Sequence, residues 1–258
     1  MLMKNKNIYL PALLSLIVVV IIILALPIKK PKKEPLFKPV IGKIAIVLDD
    51  WGYTLNNVKL IEEINAPLTI AVLPGLAYSK KISYDLSKKG FEVILHLPME
   101  PKEGYALEKE TITTSMKEEE IKRIINQDLS GLYNVKGVSN HMGSKATSDK
   151  RTMEIVLSEI KKRNLFFLDS YVISTSKARE ITASYGLRFA KRDIFLDNES
   201  SLNYIRKQLY KLRDLAKANG FAIGIGHDRK NTLIVLKEMI PILEKEGYKF
   251  VLISEIAR

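Results

Sequence analysis

Two aspartates stand side by side at Asp49-Asp50, directly after the apolar run Ile44-Ala45-Ile46-Val47-Leu48. Two carboxylates this close do not both ionise cheaply unless a cation lies beside them. A metal bound by one of them leaves the other free as a base. The plainer use of such a pair is a helix N-cap with a solvated neighbour. The chain has three histidines, and each follows an apolar stretch. They lie in Leu95-His96-Leu97-Pro98-Met99-Glu100, in Ser139-Asn140-His141-Met142-Gly143-Ser144 and in Ile225-Gly226-His227-Asp228. Imidazole nitrogens with one carboxylate oxygen suit zinc and related divalent ions. Three protein ligands leave a coordination position for water or substrate. One histidine then remains over, available as a general acid. The chain has no cysteine, which excludes disulfides, thiolate metal sites and a cysteine nucleophile.

Groups so far apart in sequence need a scaffold that gathers them. Short apolar runs, rich in β-branched and aromatic residues, occur at 44–48, 68–73, 91–95, 135–139, 165–168, 221–225 and 250–253. Amphipathic helical stretches fall between most of them, at 56–65, 79–89, 117–133, 150–163, 201–219 and 231–246. Several end in Gly or Asn just before the next strand, as in Lys89-Gly90-Phe91 and Asn219-Gly220-Phe221. That is a helix C-cap followed by a strand. Alternating strands and helices predict an α/β fold with a mostly parallel sheet. The number of units predicts a (β/α) barrel of about seven parallel strands, with an open doubly wound sheet as the alternative. In either architecture chemistry sits at the C-terminal strand ends, where the aspartates and histidines fall. The polar stretch 101–116 is expected at the rim, as a solvated loop more readily than as a lining of the substrate groove.

The N-terminal part is of another kind. Residues 7–28 carry no charge, and this 22-residue stretch is long enough to span a bilayer as a helix. Its end offers a poor cleavage site, so residues 1–28 read as an uncleaved anchor more readily than as a cleaved signal. Residues 29–42, with three prolines, read as an extended linker, and 43–258 as the folded domain. Lysines flank the apolar segment on both sides, so the positive-inside rule alone does not orient it. A single N-terminal span ahead of a large domain is expected to export that domain to the outer side of the inner membrane, in the periplasm or at the cell surface. Of the net charge of +12, residues 1–43 hold +7, eight lysines against Glu34. The excess therefore faces lipid headgroups, and the domain shows no basic stripe of the kind that binds nucleic acid.

Taken together, the motifs resemble those of the polysaccharide deacetylases, most closely their divergent branch of bacterial exported proteins. The resemblance covers about residues 43–256. Ile46-Val47-Leu48-Asp49-Asp50 resembles the family's first motif, Gly90-Phe91-Glu92-Val93-Ile94-Leu95-His96 its second and Ile225-Gly226-His227-Asp228 its last. The resemblance implies a distorted (β/α) barrel of the glycoside hydrolase and deacetylase type. It implies Asp49 as catalytic base, Asp50 and His96 as metal ligands and His227 as general acid. The typical second motif has a further histidine where this chain has Glu100, and the typical Arg-Pro-Pro is replaced by Ser139-Asn140-His141-Met142-Gly143. The third ligand is then His141, beside a supporting Asn140, with Glu100 as competitor. Lys191-Arg192-Asp193-Ile194-Phe195-Leu196-Asp197 is typical of the branch, with Arg192 or Asp193 as candidates to orient the base. Trp51 is a candidate to stack on a sugar or to fill the core. Asp169 is a candidate to hold a histidine's second nitrogen or to cap a turn. The implied activity is metal-dependent removal of acetyl groups from a cell-envelope polysaccharide or peptidoglycan, with zinc as the expected ion. A non-catalytic glycan-binding or scaffold protein on the same fold is the alternative.

Overall fold

The computed structural model describes residues 39–258, except Glu103 and Tyr105. The expected anchor and most of the linker lie outside the described residues. Among the described residues no helix is long and apolar enough to cross a membrane.

Nine parallel strands form one sheet among the described residues. In chain order they are β1 (Gly42–Trp51), β2 (Thr69–Val72), β3 (Glu92–Met99), β4 (Val135–Met142), β5 (Phe166–Asp169), β6 (Phe189–Lys191), β7 (Ile194–Phe195), β8 (Phe221–His227) and β9 (Tyr248–Val251). Around them lie α1 (Val58–Glu62), α2 (Ser79–Lys88), α3 (Glu118–Ser130), α4 (Lys150–Lys162), α5 (Ala178–Tyr185), α6 (Leu202–Asn219) and α7 (Lys230–Lys245). The strand order is β6-β5-β4-β3-β2-β1-β8-β7, with β9 paired to the first half of β1. Only Arg192-Asp193 separates β6 from β7. Because β6 pairs with β5 while β7 pairs with β8, this single stretch joins the two ends of the sheet and closes a distorted barrel.

Strand alternation sorts the core into two layers. Ala45 and Val47 of β1, Ile94 of β3, Phe166 and Leu168 of β5, and Ile223 and Ile225 of β8 fill the barrel. Their neighbours Ile44, Ile46 and Leu48, Leu95 and Leu97, and Phe167 point outward against the helices. The barrel interior is crowded: a Cβ on Gly137 would lie 2.4 Å from the Phe166 ring. Helix ends carry local signals. Ser201 caps α6 by accepting the Tyr204 N–H, and Gly220 ends it in the left-handed region at φ 82°.

The barrel has two strands more than the sequence suggested. β6 and β7 hold three and two residues, too few to show a period. The last strand lies slightly earlier than expected, and Ile253–Glu255 forms a 3-10 turn instead. Helix α5 was not foreseen either. Its polar, Ala-rich face is thin, and it buries Ala178, Ile181 and Thr182 alone.

Candidate metal centre

The inner face of the barrel continues upward into the polar residues. Asp49 follows Ala45 and Val47 on β1, His96 follows Ile94 on β3, and His227 follows Ile223 and Ile225 on β8. Asp49 lies in register with His227, and His96 with Ser139. His141 is two residues beyond Ser139 on β4 and so shares its face.

Asp50 breaks the alternation. A regular strand would turn its side chain away from Asp49 toward the helices. Asp50 instead has φ 66°, in the left-handed region, where the β1–β2 pairing also shifts register. For a non-glycine residue this conformation is strained by on the order of 1 kcal/mol, and strain of this kind collects at functional sites. Its carboxylate Oδ1 lies 3.4 Å from His96 Nε2 and 3.1 Å from His141 Nδ1. Asp49 Oδ2 lies 3.5 Å from His96 Nε2.

One carboxylate oxygen of each aspartate, Asp49 Oδ1 and Asp50 Oδ1, is buried with no hydrogen-bond partner. A buried acceptor left bare costs roughly 1–3 kcal/mol, more when charged. His96 Nδ1 is 2.8 Å from the buried Ser139 hydroxyl. With that nitrogen donating its proton to Ser139, Nε2 faces the carboxylates and can present its lone pair to a cation lying between them. Ligand atoms of Asp50, His96 and His141 all fall within 4.8 Å of one another. Tetrahedral ligands on a zinc-sized ion stand about 3.3 Å apart, given bonds of about 2.0–2.1 Å. The observed 3.1 and 3.4 Å match that spacing. The donor set therefore fits a divalent metal.

Charge follows the same pattern. Burial pushes Asp50 toward the neutral acid, but the two imidazoles overcome this and hold its carboxyl well below the usual range. Burial raises Asp49 above its ordinary value, and His96 only partly offsets it. His227 is governed by Asp197, which is fully buried. Asp197 Oδ1 is 2.7 Å from His227 Nδ1, while Oδ2 accepts from the His227 N–H at 2.9 Å and the Thr232 hydroxyl at 2.6 Å. Burial alone would lower His227, yet Asp197 raises it above the ordinary histidine value.

The other candidate residues serve elsewhere. Trp51 is buried in the outer core layer and offers no face to a sugar. Glu100 is not beside the metal candidates' ligand atoms; its carboxylate accepts from the Thr114 N–H and hydroxyl and from Lys145 Nζ at 2.7–2.8 Å. Asp169 shares the outward parity of Phe167. It accepts from the Tyr171 N–H and the Ser176 hydroxyl, each at 2.7 Å, so it caps a turn and holds no histidine. Asp193 Oδ2 accepts from the Ile223 N–H at 2.8 Å, low on β8, and so does not orient the base. Arg192 donates to the carbonyls of Ser170 and Tyr171 at 2.7 and 2.8 Å, and its guanidinium lies 3.7 Å over the Phe195 ring. Its charge is felt at Asp49, without a hydrogen bond to it. Asn140 accepts the Ser170 N–H at 2.9 Å and donates to the Met142 carbonyl at 2.7 Å, which locks the loop after His141. Sequence reasoning missed Ser139 and Asp197. Both were readable as same-face neighbours, Ser139 two residues before His141 and Asp197 two after Phe195.

The fold and site together define the class. The chain belongs to the divergent polysaccharide deacetylase family, whose model matches residues 46–257. Over 199 residues, 77% of this chain, it is 37% identical to the uncharacterised protein YibQ of Escherichia coli (strain K12), and the match spans 62% of that relative. An uncharacterised protein of Haemophilus influenzae is 31% identical over 196 residues, 76% of this chain and 70% of its own length. The chain thus spans less than two thirds of the Escherichia coli relative. An uncharacterised protein of Agrobacterium tumefaciens C58 has the same fold, with a TM-score of 0.81 at 22% identity over 85% of this chain and 90% of its own. A family 4 carbohydrate esterase from Streptomyces lividans, solved in complex with acetate, has a TM-score of 0.50 at 15% identity, covering 83% and 93%.

Proposed function

We propose that this chain is a metal-dependent hydrolase that removes acetyl groups from an N- or O-acetylated glycan of the cell envelope. The carrying observation is the convergence of Asp50, His96 and His141 around bare, buried carboxylate oxygens, with Asp49 and His227 on adjoining strands beside them. Family membership supports the reaction class, and the Streptomyces lividans esterase supports a carbohydrate substrate.

Asp50, His96 and His141 would hold the ion, zinc being the expected one. When bound, it supplies polarisation of the acetyl carbonyl and a more acidic water. Asp49, raised by burial, keeps enough proton affinity to take the water's proton. Ser139 fixes the His96 ring so that Nε2 faces the site. Asp197 holds His227 at Nδ1, leaving Nε2 to protonate the leaving amine or alcohol. Arg192 places a positive charge near Asp49 and favours its ionised form. On this reading residues 7–28 anchor the domain on the outer side of the inner membrane, where envelope glycans lie.

The test is acetate release from acetylated glycan by the full chain in detergent, wild type against Asp49→Asn. The variant should retain its metal and lose on the order of 10²–10⁴-fold in rate. Wild-type protein that binds metal and glycan but releases no acetate would refute the activity and leave a binding protein.

A further inference from the structure

The rim around the candidate metal centre carries aromatic side chains, and they differ in what covers them. Tyr171 follows β5, and Lys191 Nζ lies 4.0 Å from its ring centroid. Phe195 on β7 is covered by Arg192 at 3.7 Å and stacks with His227 at 6.0 Å. Tyr53, three residues beyond Asp50, is 49% exposed. Among the described residues no ring or cation stacks on it.

The backbone before Tyr53 is rigidly held. Gly52 has φ 135°, and a Cβ there would lie 2.8 Å from Ser79 Oγ, so the position demands glycine. The Trp51 carbonyl accepts the Leu73 N–H at 2.9 Å, and the Gly52 carbonyl accepts the Tyr78 N–H at 3.1 Å. This sharp turn sends Trp51 into the core and Tyr53 to the rim. The phenol is tethered too, donating to Glu108 of the 101–116 loop. Glu108 is itself anchored, since its carbonyl accepts the Thr111 N–H and hydroxyl. Partial burial, Glu108 and the Asp50 carboxylate hold the phenol above its ordinary pKa, so it stays a neutral donor.

An exposed aromatic ring tied at both ends is an unusual expense of apolar surface beside a polar site. It has little freedom left to lose on binding, which favours a stacked ligand. A pyranose offers a face of C–H groups to such a ring and hydroxyls to the carboxylate beside it. We infer that Tyr53 is the platform on which a sugar ring of an N-acetylated glycan stacks next to the candidate metal centre, with Glu108 fixing the ring's orientation. The inference rests on the deacetylase reading and adds a substrate-binding residue to it.

The experiment measures binding of a β-1,4-linked N-acetylglucosamine tetramer by titration calorimetry. It uses the full chain in detergent, as wild type, Tyr53→Ala and Tyr53→Phe, each checked for metal content and thermal unfolding. With metal content and folding unchanged, Tyr53→Ala should weaken binding roughly tenfold or more, and Tyr53→Phe, which keeps the ring, less than about threefold. Equal binding by Tyr53→Ala and wild type would overturn the inference, as would equal losses in both variants, which would make the hydroxyl tether the operative feature. A wild type that does not bind the tetramer also overturns it. Acetate release and its loss in Asp49→Asn are read separately, so the deacetylase reading can stand or fall without the platform.

Discussion

Asp50 shows how one backbone angle changes what a strand end can do. Period-two alternation would separate two consecutive aspartates onto opposite faces of β1. The left-handed turn at Asp50 brings its carboxylate to the same imidazole that Asp49 faces. The pairing of the other residues is set by register: Asp49 beside His227, His96 beside Ser139. The Asp197–His227 contact has a kinetic consequence. Because Asp197 raises the His227 pKa, it extends protonation of this proposed general acid to higher pH. Asp197→Asn should lower kcat roughly 10²-fold and move the alkaline limb of the pH–rate profile to lower pH, with metal content unchanged. An unmoved alkaline limb would show that His227 is not the acid. The type and strand-end placement of Asp49, Asp50, His96, His141 and His227 were legible in the sequence. The fates of Trp51, Asp169 and Asp193 were not, because each depends on which way a strand end turns, and a single shift in parity decides it.

At the scale of elements, packing makes sharp demands. The alternation of apolar runs and amphipathic helices was enough to read a parallel α/β sheet, with the choice between a barrel and an open doubly wound sheet left to the number of units and the family resemblance. The two short strands that close the barrel had too few residues to announce themselves. Gly137 permits the Phe166 ring to fill the barrel interior, and a methyl group there would meet ring atoms at 2.4–2.6 Å. Gly137→Ala should destabilise the domain by about 1–3 kcal/mol, measured by denaturant unfolding. Asp128 on α3 makes the opposite prediction. Its Oδ2 is buried without a partner, and burial, with the Glu110 charge, lifts its pKa to about 7. An acid whose folded pKa exceeds its unfolded value binds more protons when folded, so stability falls as pH rises from about 4 to about 7 and is level above. Asp128→Asn should remove that slope and stabilise the protein at pH 8, by roughly 1–3 kcal/mol. A variant with the same pH slope as wild type would place the titration elsewhere.

At the scale of the whole molecule, the distorted barrel gathers the proposed ligands of one cation. The barrel brings the C-terminal ends of β1, β3, β4 and β8 to one rim; His96 and His141 stand on paired strands, and β2 lies between them and Asp50 on β1. The bare, buried Asp49 oxygen lowers the stability of the metal-free protein. A ligand that binds the folded state alone stabilises it by mass action, about 2.7 kcal/mol at a hundredfold excess over Kd. Zinc should therefore raise Tm in wild type and leave it unchanged in Asp50→Ala. Metal binding at this rim is tested most directly by metal content and affinity after reconstitution with zinc, cobalt or manganese. Wild type would be compared with Asp50→Ala, His96→Ala, His141→Ala and Glu100→Ala. Near-stoichiometric metal is expected in wild type and Glu100→Ala, and its loss in the other three. A wild type that takes up none of these ions, or a Glu100→Ala protein that loses its metal while His141→Ala keeps it, would rule out a metal held by Asp50, His96 and His141.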